Sequence, residues 1–154
     1  MTRYATNTDV SSEKSRAEIE KTLQRYGADR FAYMTERGSA VIAFEAHGLR
    51  IRFTLPMPDQ MDVAFVMTPG GKRTRTAAQA NAAWEQACRQ KWRALALVVK
   101  AKLEAVESGI TTFEYEFLAH IVLPNGQTVG QQALPKVREA YATGGNVPLL
   151  TFGG

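Results

Sequence analysis

The stretch from Thr76 to Glu107 constrains this chain more than any other, because it carries a helical pattern that no Pro or Gly interrupts. Trp84, Cys88, Trp92, Leu95, Val99, Leu103 and Val106 recur at steps of three and four, which lines them up along one side of a helix. Ala, Leu, Lys, Glu, Gln and Arg fill most of the remaining positions, so intrinsic propensity agrees with the period. At about 1.5 Å per residue such a helix runs roughly 48 Å. That exceeds the width expected of a domain built from 154 residues. The helix therefore has to protrude, bend, or pack against a second copy of the chain.

The rest of the sequence predicts an α+β domain: an N-terminal helix, a three- or four-stranded antiparallel meander, the long helix, then short C-terminal helices. Residues 1–10 are polar and aperiodic and read as a flexible arm, 11–144 as a single domain, and 145–154 as an irregular tail. Ser12 or Ser15 is expected to cap the first helix, Ser15 with Glu18 having capping-box spacing, while Ile19, Leu23 and Tyr26 supply its apolar stripe and Gly27 ends it. If Arg37-Gly38 and His47-Gly48 are two-residue hairpin turns, pairing sets Phe31, Tyr33 and Thr35 beside Ala40, Ile42 and Phe44, and those beside Ile51, Phe53 and Leu55. Both turns select the same apolar face. Glu45 then falls opposite Arg50 on the mixed face.

Past Pro56 and Pro58, the alternation of Met61, Val63, Phe65 and Met67 predicts a fourth, edge strand, followed by a flexible basic loop over 68–76 that Thr76 closes as a helix cap. Ser108-Gly109 stops the long helix. Thr111 with Glu114, and Thr128 with Gln131, have capping-box spacing, and Phe113, Phe117 and Ile121 fit a helical face, although Phe113–Phe117 also alternates as a strand does. Pro135 is expected to kink the last helix and Gly144 to end it.

The chemistry available is narrow. Cys88 is the one cysteine, which rules out an intrachain disulfide and any zinc site with two thiolates, and its place on the apolar stripe makes it a small hydrophobe. His47 and His120 have no partners at metal-ligand spacing, so no metal and no cofactor is expected, and His120 reads as a packing or interface residue. Gly70-Gly71-Lys72-Arg73-Thr74 suggests a phosphate-binding loop, but Val66 and Arg73 occupy the positions where a P-loop needs a glycine and a hydroxyl. The paired carboxylates Glu18 with Glu20 and Glu114 with Glu116 read as solvated faces. No catalytic residues are assigned, and the balance leans away from an enzyme. The N-terminus is polar rather than signal-like and no apolar run is long enough to span a bilayer, so a cytoplasmic location without membrane contact is expected.

Charge is the most function-like signal. Of the net +4, the segment Lys72–Glu107 alone carries +5, from eight basic and three acidic residues. Lys72, Arg73 and Arg75 approach the long helix, Arg89, Arg93 and Lys100 share one of its faces by spacing, and Arg50 and Arg52 on the meander can extend the surface. This predicts a nucleic-acid partner, single-stranded or duplex. The order helix, three strands, helix resembles that of double-stranded RNA-binding domains, in which a basic loop-to-helix junction contacts phosphates. The alternative is a protein-interaction module, an inhibitor or adaptor of a host or phage complex, with Trp84 and Trp92 on the long helix as interface residues and a second copy as a further candidate partner. The runs Trp92–Leu95, Ala101–Gly109, Thr112–Glu114 and Ile121–Gly126 resemble small uncharacterised proteins encoded by tailed phages and prophages. That resemblance implies a role in phage DNA metabolism or interference with a host system, and brings no functional residues with it.

Overall fold

In a computed structural model of the chain, residues 7–150 are described; residues 1–6 of the expected arm and 151–154 of the expected tail lie outside them. Helix α1 (Ser12–Arg25) is capped by Ser11, whose hydroxyl accepts from the Lys14 amide. Neither Ser12 nor Ser15 is the cap. The helix starts four residues earlier than the Ser15–Glu18 spacing implies, and Ser15 lies inside it with its hydroxyl fully buried and no partner among the described residues.

Three antiparallel strands follow in the order β1-β2-β3: β1 (Arg30–Glu36), β2 (Ser39–Ala46) and β3 (Leu49–Pro56). Their register is the one the two turns dictate, with Phe31 opposite Phe44, Tyr33 opposite Ile42, Phe44 opposite Ile51 and Glu45 opposite Arg50. At the second turn His47 itself adopts positive φ (53°) beside Gly48 (74°), the combination that a type I′ hairpin requires of both central residues.

One face of this sheet is covered by two helices. Ile42, Phe44, Ile51 and Phe53 meet Ile19 and Leu23 of α1 and Trp92, Leu95, Val99 and Leu103 of α3 (Ala77–Glu107), with Phe113 and Phe117 closing the end. Each such side chain contributes on the order of 1.5–3 kcal/mol by leaving water. The two helices run in the same direction, since Thr8 reaches Gln86, Glu18 reaches Arg93, and Tyr26 reaches Glu104.

The buried positions of α3 run only from Trp92 to Leu103. Its N-terminal half extends past the sheet and rests on the connection from β3. There the Trp84 indole N–H donates to the Pro58 carbonyl (2.9 Å) and Gln60 to Asn81 (3.0 Å). The expected fourth strand over 61–67 is instead the helical turn α2 (Val63–Val66), which Asp62 caps through the Ala64 amide (2.8 Å). An Asp cap at that position competes effectively with an alternation only four apolar residues long.

After Gly109 (φ 79°), Thr112 rather than Thr111 caps the short helix α4 (Phe113–Glu116), and a 3-10 turn covers Leu118–His120. Ile121 then bridges Ile51, and the Val122 amide donates to the Arg50 carbonyl (2.8 Å), so the outer edge of β3 is occupied. Helix α5 (Val129–Thr143) opens on the expected Thr128–Gln131 capping box, contains Pro135 and ends at Gly144 (φ 66°). It approaches the 3-10 turn where Gly130 lies so close to Ala119 that an added Cβ would be 2.9 Å from its carbonyl oxygen.

The buried hydroxyl of Ser15 is an uncompensated cost. Ser15→Ala is expected to raise stability by about 1 kcal/mol, through removal of an unsatisfied polar group and a gain in helix propensity. A shift of the urea midpoint to higher concentration at unchanged slope would show it.

Candidate nucleic-acid interface

The basic run that precedes α3 is a built element rather than a loose loop. Met67 bridges Thr74, the Thr68 amide donates to the Arg73 carbonyl (2.8 Å), the Gly71 amide donates to the Thr68 carbonyl (2.8 Å), and the Arg75 amide donates to the Val66 carbonyl (2.7 Å). The Thr68 hydroxyl also accepts from the Arg73 amide (3.1 Å). The result is a small hairpin over 66–75 whose tip uses Gly70 and Gly71 at positive φ (85° and 67°), a conformation open to glycine at no steric cost. Lys72 and Arg73 are exposed at this tip. Arg75 instead faces inward, its guanidinium donating to the carbonyls of Ala64 and Phe65 (3.3 Å each), so it ties the hairpin to α2. Thr76 and Gln79 then form a full capping box, and the first turn of α3 is exposed next to the two cations.

The other predicted contacts divide differently. Arg93 forms an ion pair with Glu18 of α1 at 2.5 Å and is mostly covered, while Arg89 bonds Gln86, whose amide reaches Thr8. The face defined by Arg89 and Arg93 is the flank on which α1 lies. Lys100, further along it, is exposed. Arg50 and Arg52 are on the open face of the sheet, with α3 packed on the opposite face; Arg50 pairs with Glu45 (3.3 Å) and Arg52 donates to Gln131 of α5 (3.1 Å). The structure thus brings Lys72 and Arg73 together with the start of α3, and does not gather all eight cations on one surface.

The tryptophans are also reassigned. Trp92 is 1% exposed, so it is a core residue and is not available to a partner. Its ring meets Tyr33 edge-on at 6.4 Å, and the Arg16 guanidinium sits 5.0 Å from both rings. Trp84 is half-buried against Pro58.

An open groove of about 770 Å³ lies between the start of α1, the β1–β2 turn, residues 57–61 and α3, with Arg16, Arg37, Arg89 and Trp84 among its walls. Sequence spacing gave no sign of it, because its walls come from four distant segments. Across it Arg37 pairs with Asp59 (3.2 Å). The Met61 amide, and after it Arg37, hold the Asp59 carboxyl below its ordinary pKa. Cys88 lines the same groove half-buried, and burial pushes its thiol up. His120 stacks on Phe53 (4.0 Å), so it is a packing residue, and burial followed by the charge of Lys102 lowers its pKa against an opposing hydrogen bond to the Arg52 backbone. Among the described residues no group of three or more His, Cys, Asp or Glu is placed to hold a metal ion, and no helix is long and apolar enough to cross a membrane. Compared with protein-family models, with curated proteins and with solved structures, the chain matches none.

Two outcomes follow from this geometry. Lys72→Ala with Arg73→Ala is expected to leave the thermal midpoint within about 1 °C of the parent, because both side chains are solvated, whereas Arg75→Ala lowers it by several degrees (~1 kcal/mol or more) by removing the two hydrogen bonds that tie the hairpin to α2. Differential scanning fluorimetry separates the two. As to pH, a histidine whose folded pKa is depressed binds fewer protons folded than unfolded, so stability falls as pH drops below the unfolded value near 6.5. Urea unfolding at pH 7.5 and 5.5, with and without His120→Gln, should show that slope flattened in the variant.

Proposed function

We propose that this protein binds nucleic acid through its phosphates, without catalysis, using the 66–75 hairpin and the first turn of α3. The observation that carries the reading is the division of labour among the cations of the junction: Arg75 is spent on anchoring, which leaves Lys72 and Arg73 held out on a fixed support next to a helix N-terminus. Two cations on an ordered tip lose less side-chain and loop entropy on meeting a phosphate than the same residues on a mobile loop. The helix N-terminus adds a favourable field for an anion. Lys100 extends the reach along α3, while Arg89, Arg93, Arg50 and Arg52 act first in the ion pairs and hydrogen bonds they already make. The resemblance to small phage-encoded proteins suggests DNA metabolism as the setting, with a single-stranded or a duplex ligand.

Docking on a host or phage protein is the second reading. Ile110, Tyr115 and Tyr141 are 81%, 78% and 87% exposed in the C-terminal third, more accessible anchors than either tryptophan.

The test is fluorescence anisotropy with labelled single-stranded and duplex oligonucleotides across a salt series. The expected result is binding whose logarithm falls linearly with log salt, with a slope reduced by about 2 when Lys72 and Arg73 are both replaced by alanine. Binding absent at the lowest salt, or a slope untouched by that double replacement, contradicts the reading and turns attention to the exposed C-terminal aromatics.

A further inference from the structure

We propose that two copies of this chain pair β1 against β1 across a two-fold axis through Tyr33, joining their sheets into one of six strands. This stands apart from the nucleic-acid reading and rests on the sheet edge alone.

The two outer strands are treated differently. The edge of β3 is closed by Ile121 and Val122, whereas β1 ends the sheet, and among the described residues no backbone bond crosses its outer side. Its ladder to β2 runs through all seven residues without a bulge. Between Arg30 and Glu36 it reads Phe-Ala-Tyr-Met-Thr, with no proline and no charge, and Tyr33 and Met34 are 51% and 60% exposed. Monomeric proteins normally blunt an edge of that length with a lysine, a proline or a bulge.

The register is specified by the strand itself. The two-residue turn at Arg37-Gly38 makes Glu36 and Ser39 the closing bonded pair, so Arg30, Ala32, Met34 and Glu36 spend their backbone groups on β2. Phe31, Tyr33 and Thr35 aim theirs outward. An antiparallel copy centred on Tyr33 satisfies all of those groups, pairing Tyr33 with its own copy and Phe31 with Thr35. On the open face the same register sets Ala32 beside Met34 and Arg30 beside Glu36, twice each. No other two-fold register puts Arg30 on Glu36. The Arg30 side chain is 78% exposed and reaches Glu45 only at 3.7 Å, which leaves it able to serve both carboxylates. Arg16, stacked on Tyr33, approaches its own copy near the axis, and Glu13 at 3.6 Å offsets that charge.

Sedimentation velocity of the full chain tests this, followed by hydrogen exchange. The wild type is expected to show a concentration-dependent dimer in the range from about 1 μM to about 500 μM. Glu36→Arg, which sets two arginines against each other at each end of the pairing, should weaken it at least about tenfold, and Arg30→Glu added to it should restore it to within about threefold. In the dimer the amides of Phe31, Tyr33 and Thr35 become protected, whereas those of Ala32 and Met34 are protected in monomer and dimer alike. A chain that stays monomeric at the top of that range, a dimer indifferent to Glu36→Arg, or a double variant that does not recover would each overturn the proposal.

Discussion

A helix of 31 residues, about 46 Å long, lies on a sheet whose longest strands have eight residues and span about 27 Å. That mismatch organises the molecule. Where α3 has the sheet beneath it, from Trp92 to Leu103, it is buried by the meander and flanked by α1. Where the sheet runs out, residues 57–75 leave the end of β3 and pass under the exposed half of the helix before turning into it. The excursion is thus a second support. It is fastened to the sheet by Arg37 on Asp59 and the Met57 amide on the Gly38 carbonyl, and to the helix by Trp84 on the Pro58 carbonyl and Gln60 on Asn81, while Arg75 on the α2 carbonyls braces it internally. The charged hairpin is the last part of this support.

The cations of the chain accordingly do two jobs. Arg16, Arg37, Arg75 and Arg93 connect segments far apart in sequence, each with a planar group directed at a ring, a carboxylate or paired carbonyls. Lys72, Arg73 and Lys100 lie at the surface. A count of basic residues along 72–107 gives +5 without telling these apart, and the distinction decides which of them can meet a phosphate.

The meander register and the caps at Thr76 and Thr128 were legible in the sequence; the caps of α1 and α4, which fall at Ser11 and Thr112 rather than at Ser12 or Ser15 and at Thr111, and the long-range parts were not. The meander register followed from two turns, because a two-residue hairpin leaves the strands one pairing and each turn selected the same apolar face. The Thr76 cap and the Thr128 capping box also depend only on neighbours. By contrast, Met61 to Met67 alternates like a strand and folds as a capped helical turn, since its fate depends on Asp62 and on the helix above it. The same reason explains the basic residues. Arg89 and Arg93 share a face of α3 as their spacing requires, but the helix that covers that face comes from residues 12–25, and no spacing within α3 announces it. Trp84 and Trp92 belong to the same apolar stripe by spacing, and only the structure assigns one to the core and the other to the excursion.

The excursion and the first half of α3 hold each other in place as one unit, separate from the sheet-backed half. Native-state hydrogen exchange resolved along the chain tests it most directly. Two levels of protection are expected: amides of about 92–103 open only with global unfolding, while those of 80–88 and the Arg75 amide open together in a single lower-energy event. Residues 80–88 exchanging as a freely fraying helix end while the Arg75 amide stays protected would contradict it.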